Sequence, residues 1–419
     1  MENNNKILYG LMCIYLAILP LIPYKTKFKV ISDILLISII LLYLFKVITC
    51  SEVRNRFKIG IKSFIKDYLG IFMILLAVVM IFSTLYATDK KISISESIRF
   101  LTYIILYFII KYELNCERYT KGLINLYIYV CGILSIGGIL QYITGFGLDK
   151  KFTGYAYASE KIAVTMDNPN NLGAFMVLAI FPMIMLSVYE KELKKRILYI
   201  IISVMVFLNI IFTFSRNALI GVFIGLCVLI LIYSWKFILS IIIFSIGALF
   251  IPQISTRIKD IGNIEQNRSR IYLWKIASKM IKDHPILGVG NGNYSSLYDS
   301  YVKKYPDYAY YGYTKYPVHN TYLKVLSELG ILGFIPFVMV LACSIKKIFS
   351  VIKYNTNKFY KFFYTGFISS VCAFLAMNMS DNLFLVPKTV TYFWVLLAIA
   401  DVVGNRNFGG KYDRQYNSN

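Results

Sequence analysis

The sequence predicts an all-α integral membrane protein of about twelve transmembrane helices with one large outward-facing loop. Three observations carry that prediction. Of 419 residues, 58% are hydrophobic and only 16% charged, an apolar balance that a soluble chain of this length does not show. Apolar runs long enough to cross a ~30 Å hydrocarbon core recur from end to end. Lysine and arginine concentrate in alternate loops, as in chains threaded repeatedly through a bilayer.

The spans expected are 6–24, 30–49, 69–88, 97–112, 120–143, 170–188, 194–213, 216–234, 236–252, 320–345, 360–379 and 387–403. The start, "MENNNKILYG", lacks a basic region and small-residue cleavage site, so the first span is expected to be retained. The segments "SEVRNRFKIGIKSFIKDY", "YEKELKKR", "SIKKIFSVIKYNTNKFYKF" and "GNRNFGGKYDRQ" fall on one side, although "YKTKFK" at 24–29 runs against the trend. The expected topology has both termini in the cytoplasm.

Four segments follow: spans one to nine over 1–252, the outward loop 253–318, spans ten to twelve over 319–405, and a cytoplasmic tail 406–419. The formal net charge of +23 is then largely topological, facing anionic lipid, and no nucleic-acid partner is required. The seven cysteines fall in spans or cytoplasmic loops, with neither a disulfide framework nor metal-ligand spacing.

A loop of roughly 65 residues is uncommon unless functional. Its ordered part is expected to begin at "NRSRIYLWKIASKMIKDHPILGVGNGNY". At 100° per residue, Arg268, Lys275, Lys279 and Lys282 share one helical face, and Leu273, Ile276, Ala277 and Met280 lie opposite. Arg270 projects with the apolar set, so it either snorkels at the membrane surface or points into a boundary pocket. Tyrosines 294, 298, 301, 305, 308, 310, 311, 313 and 316 follow, readable as an interfacial belt or as rings for stacking on sugars. The glycines of "GVGNGNY" read as an anion nest or as a turn.

At "FTFSRNALIG", Ser215 is an expected N-cap, which places Arg216 in the first turn of a helix running inward. A guanidinium beside a positive helix terminus suits a diphosphate. In "YPVHNTYLKVLSELGILG", His319 and Asn320 stand at another outer helix start, with Leu323, Leu326, Gly330 and Gly333 on the histidine's face. Those glycines suggest close packing that turns the imidazole into the bundle. Glu328 is one turn from Lys324 and reads as its ion-pair partner, and His284 as a capping or surface residue.

The order "NPNNLGAFMVLAIFP", "FTFSRNALIG", "RIYLW…HPILGVGNGNY" and "HNTYLKVLSELGILG" resembles the O-antigen ligase/polymerase family of bacterial membrane proteins. The resemblance implies the multispan, lipid-carrier-dependent glycosyltransferase fold. It further implies transfer from an undecaprenyl-diphosphate-linked glycan donor to a glycan or lipid-linked acceptor, with no cofactor and no metal. The family's paired arginines and histidine fall on Arg216, Arg270 and His319. Asn320 is then an orienting group, with Asn170, Arg268 and Tyr316 as further substrate-binding candidates; Asn170 reads equally as a helix cap. "NGN" departs from the family where a proline often follows the second glycine.

Two close readings, a repeat-unit polymerase and a ligase to lipid A core, protein or wall, share these motifs. A third, a transporter of the same lipid-linked glycan, requires discontinuous helices around a midplane site. The suggestive polar groups instead cluster at the outer ends of spans.

Overall fold

The computed structural model describes residues 5–23, 26–148, 161–166, 168–239, 264–310 and 312–405. Every long element among them is an α-helix. In chain order they are α1 (Lys6–Leu21), α2 (Lys29–Thr49), α3 (Ser51–Phe64), α4 (Tyr68–Ser83), α5 (Lys90–Tyr112), α6 (Glu117–Thr144) and α7 (Pro169–Tyr189). There follow α8 (Leu193–Phe212), α9 (Arg216–Ile232), α10 (Ile264–Asp283), α11 (Tyr294–Lys304), α12 (Thr321–Tyr354), α13 (Lys358–Met377) and α14 (Pro387–Asn405).

Eight of these are long and apolar enough to cross a membrane, or up to nine if α3 and α4, bent by 87°, count as one broken span. The expected twelve is thus matched in part among the described residues. α1 and α9, at 16 and 17 residues, fall short of that length, and residues 240–252 of the expected ninth span lie outside the described residues. The tail 406–419 and the loop start at 253–263 lie outside them too. The fourth span gains length instead. Asp89 accepts the Ile92 N–H as N-cap, and α5 begins seven residues before the expected 97.

Burial orders the helices from the centre outwards. Hydrocarbon is as apolar as leucine, so helix association here depends on close packing, and small residues permit it. α7, α13 and α14 are the central helices, and α2 and α8 face outwards along most of their length. Gly366 of α13 lies so close to α7 that a Cβ there would stand 2.3 Å from the Phe181 carbonyl oxygen. At the end of the bundle remote from His319, four charges form a ring, with Lys111 and Asp401 buried and Asp67 and Lys347 half-buried. Lys111 and Lys347 each reach both Asp67 and Asp401, at 2.5–2.9 Å, and the Tyr107 hydroxyl donates to Asp401 at 2.6 Å.

α12 is not continuous. Gly330 has φ 59° and ψ −164°, and the segment 285–290 fills the break. The Val289 and Gly290 N–H groups donate to the Ser327 and Glu328 carbonyls at 3.0 and 2.8 Å. The Ile331 and Leu332 N–H groups donate to the Pro285 and Ile286 carbonyls at 3.0 and 3.3 Å. The backbone groups freed by the break are thereby satisfied. Gly330 thus does more than the close helix packing expected of it: a Cβ would meet the Ile286 carbonyl oxygen at 2.2 Å. A discontinuous helix is one mark of a transporter, but here the gap is filled by the chain's own backbone.

Candidate active site

The helix starts predicted at Ser215 and Asn320 are both present, and both are built the same way. The Ser215 Oγ accepts the Ala218 N–H at 3.3 Å, and the Asn320 Oδ1 accepts the Leu323 N–H at 3.0 Å. The residue before each cap, Phe214 and His319, adopts a left-handed backbone with φ 46° and 50°. Few non-glycine residues do so, and the cost of order 1–3 kcal/mol needs surrounding structure to sustain it. At His319 that structure includes the Trp274 indole N–H, which donates to the His319 carbonyl at 3.4 Å.

Both starts are tied to the connection between α13 and α14, residues 377–386. Asn217 Nδ2 donates to the Met377 carbonyl at 3.0 Å, and Asn320 Nδ2 to the Met379 carbonyl at 2.8 Å. Thr321 donates through its N–H to the Asn378 carbonyl and through its hydroxyl to Asn378 Oδ1, at 2.9 and 2.7 Å. Nothing in the sequence analysis had singled out this connection.

Its Asp381 is the residue that analysis missed. One carboxylate oxygen lies 3.0 Å from His319 Nδ1 and accepts the Asn382 N–H at 2.8 Å. The other accepts from Asn170 Nδ2 at 3.1 Å, and the Asn170 amide oxygen accepts from the Ser215 hydroxyl at 2.8 Å. A single line of polar contacts therefore runs from the imidazole through Asp381 and Asn170 to the cap of α9. A search for a carboxylate on the side expected to face outwards would have found it, since "NMSDNLFLV" holds one acid.

Asp381 is only 8% exposed. Burial alone would raise its pKa, but the His319 contact and charge, the Asn382 N–H and the Arg270 guanidinium hold the carboxyl below its usual range. An ionised carboxylate is acceptor-only, so His319 Nδ1 carries the proton of this contact and Nε2 is the ring nitrogen left for another partner.

The predicted site residues divide as follows. His319 is half-buried beside Asp381. Arg216 is half-buried at the first position of α9. Arg270 is half-buried on α10, opposite in exposure to Arg268, and its charge acts on both Asp381 and Tyr316. The Tyr316 ring centroid is 5.6 Å from that of His319, and burial together with the neighbouring Tyr313 pushes its hydroxyl up to about 12.

Asn320 is buried, with its side chain engaged as the α12 cap and on Met379, which makes it a positioning residue. Asn170 is not the α7 cap. Asn168 takes that role, accepting the Asn171 N–H at 2.9 Å. Arg268 is exposed and bonds the Tyr272 hydroxyl at 2.9 Å.

Glu328 pairs with Lys324 at 2.5 Å, as expected, and also accepts the Gly292 and Tyr294 N–H groups at 2.9 and 3.0 Å. The loop "GVGNGNY" is thus pinned by a buried carboxylate, which disfavours the anion-nest reading. Tyr294 and Tyr298 are neither belt nor sugar platform. They are buried in the small apolar core of the loop region with Leu273, Ile276, Ala277 and Met280.

A bundle of membrane-crossing helices that sets a histidine–aspartate pair between two capped helix starts defines a multispan membrane protein with a candidate catalytic centre at one end. A model of the family described as O-Antigen ligase matches residues 198–338, from α8 into α12, and the family resemblance of the motifs is borne out. No curated protein matches the chain.

Proposed function

We propose that the protein is a membrane glycosyltransferase that joins undecaprenyl-diphosphate-linked repeat units on the outer face of the cytoplasmic membrane. The observation that carries this reading is the His319–Asp381 contact at 3.0 Å, extended through Asn170 to the helix start that bears Arg216. In the proposed step the acceptor hydroxyl gives its proton to His319 Nε2 as its oxygen attacks the anomeric carbon. The bond from that carbon to the diphosphate oxygen breaks, inverting the anomeric centre. Arg216 and Arg270 stabilise the charge that develops on the departing undecaprenyl diphosphate. Asp381 holds the imidazole in the required tautomer and stabilises its protonated form. No protein group needs to become covalently attached to sugar.

Transfer of a finished glycan to a different acceptor is the second reading, favoured by the description of the matching family. Its chemistry is the same.

The test uses purified full-length protein in lipid nanodiscs with an undecaprenyl-diphosphate repeat unit. Release of undecaprenyl diphosphate with lengthened glycan and no added nucleotide supports polymerisation. Release only after a second acceptor is supplied supports ligation. His319→Ala that turns over like the wild type sinks the general-base role. Donor affinity unchanged in both Arg216→Ala and Arg270→Ala sinks the clamp.

A further inference from the structure

The half-exposed rings of the loop region form a continuous path that begins at the candidate base. From His319 it passes to Tyr316 at 5.6 Å between ring centroids, to Tyr313 at 3.8 Å, and to Tyr310 at 4.8 Å. It continues to Tyr272 at 6.5 Å and to Tyr308 at 6.2 Å. There the path acquires cations. The Lys275 ammonium lies 5.1 Å from the Tyr308 centroid, Lys279 4.7 Å from that of Tyr305, and Lys304 5.3 Å from that of Tyr305. Arg268 stands 5.4 Å over Tyr272.

Cation–π contacts of this kind hold ammonium groups in place at a surface without neutralising them. Lys304 also pairs with Asp283 at 3.0 Å, and Asp307 lies exposed nearby. Lys275 and Lys279 form no ion pair among the described residues. Three lysines, Lys275, Lys279 and Lys304, against Asp283 and Asp307 leave this end of the track net positive. Tyrosine faces accept the C–H surfaces of pyranose rings, and ordered cations select for carboxylate or phosphate groups on them. A membrane surface would use the cations equally well, but it gives no role to a ring path that ends on His319.

We propose that this track binds the glycan chain and that its ligand is an acidic oligosaccharide. The choice of occupant rests on the glycan-transfer reading, whereas the test measures binding and needs no turnover. Full-length protein is placed in zwitterionic nanodiscs and titrated with a labelled galacturonate hexamer and with maltohexaose. The expected result is tighter, salt-sensitive binding of the galacturonate and a loss of about tenfold in Lys275→Gln/Lys279→Gln/Lys304→Gln, with maltohexaose little changed.

Equal affinity for both sugars, or galacturonate binding unchanged in the triple variant, overturns the proposal. So does galacturonate binding abolished by phosphatidylglycerol in the disc, which would make the lysines a lipid surface. Acid-selective binding without transfer in any assay fails the reaction alone, and transfer without acid selectivity fails the track alone.

Discussion

Phe214 and His319 share one backbone arrangement: each turns left-handed in the residue before the side-chain cap of the next helix. The repetition gives α9 and α12 matched starts, hung on the same connection between α13 and α14. Asp381 then joins the two starts through side chains. Its removal is therefore expected to affect chemistry more than folding.

Asp381→Asn should lower turnover by about a hundredfold or more, because an amide can donate to Nδ1 and so favour the tautomer with the proton on Nε2. His319→Ala should cost about 10²–10⁴-fold. Steady-state release of undecaprenyl diphosphate, with donor affinity measured separately, checks both. A kcat within twofold of wild type for Asp381→Asn would remove it from the mechanism.

The pH dependence of stability follows from the same pair. The folded-state pKa of Asp381 is depressed below its unfolded value, so its contribution is complete above the ordinary carboxylate pKa of about 3.9 and is lost as pH falls through the folded value. The difference in thermal unfolding between wild type and Asp381→Asn should be present at pH 5 and shrink below about pH 4. A difference that has vanished by pH 5 would contradict the assigned direction.

Gly330→Ala places a Cβ against the Ile286 carbonyl in a backbone conformation that is essentially confined to glycine and costs another residue about 1–3 kcal/mol before any clash. A loss of at least about 2 kcal/mol is expected, with faster hydrogen exchange at Val289, Gly290, Ile331 and Leu332. Gly10→Ala, where a Cβ would meet nothing within 4 Å, is the control and should be neutral or stabilise by up to about 1 kcal/mol.

Glu328→Gln strands the Lys324 ammonium beside a buried site and should cost about 3 kcal/mol. Adding Lys324→Met should recover part of that loss, because the amide oxygen can still accept from Gly292 or Tyr294. Simple additivity of the two substitutions in unfolding measurements would show that the pair is uncoupled.

What could be read in advance was local. The cap at Ser215, the helix start at Asn320, the buried face of α10 and the Lys324–Glu328 pair were all legible from short spacings along one helix. What escaped was tertiary. His319 and Asp381 are 62 residues apart, and no periodicity links a helix start to a later turn. Gly330 resembled an ordinary packing glycine because the segment that fills its break lies some forty residues earlier. Tyr294 and Tyr298 looked interfacial by composition, and only the fold of the loop region buries them.

The ring of Lys111, Lys347, Asp67 and Asp401 has a consequence for how this sequence can drift. Each charge in it is balanced twice, so loss of any one leaves an odd charge enclosed by apolar helices. Change at these positions is then accessible only in opposite-sign pairs, one lysine together with one aspartate. The helical segments that carry the ring thereby inherit a joint history at the end away from the candidate site, and distant relatives should carry either the whole ring, a matched half of it, or none.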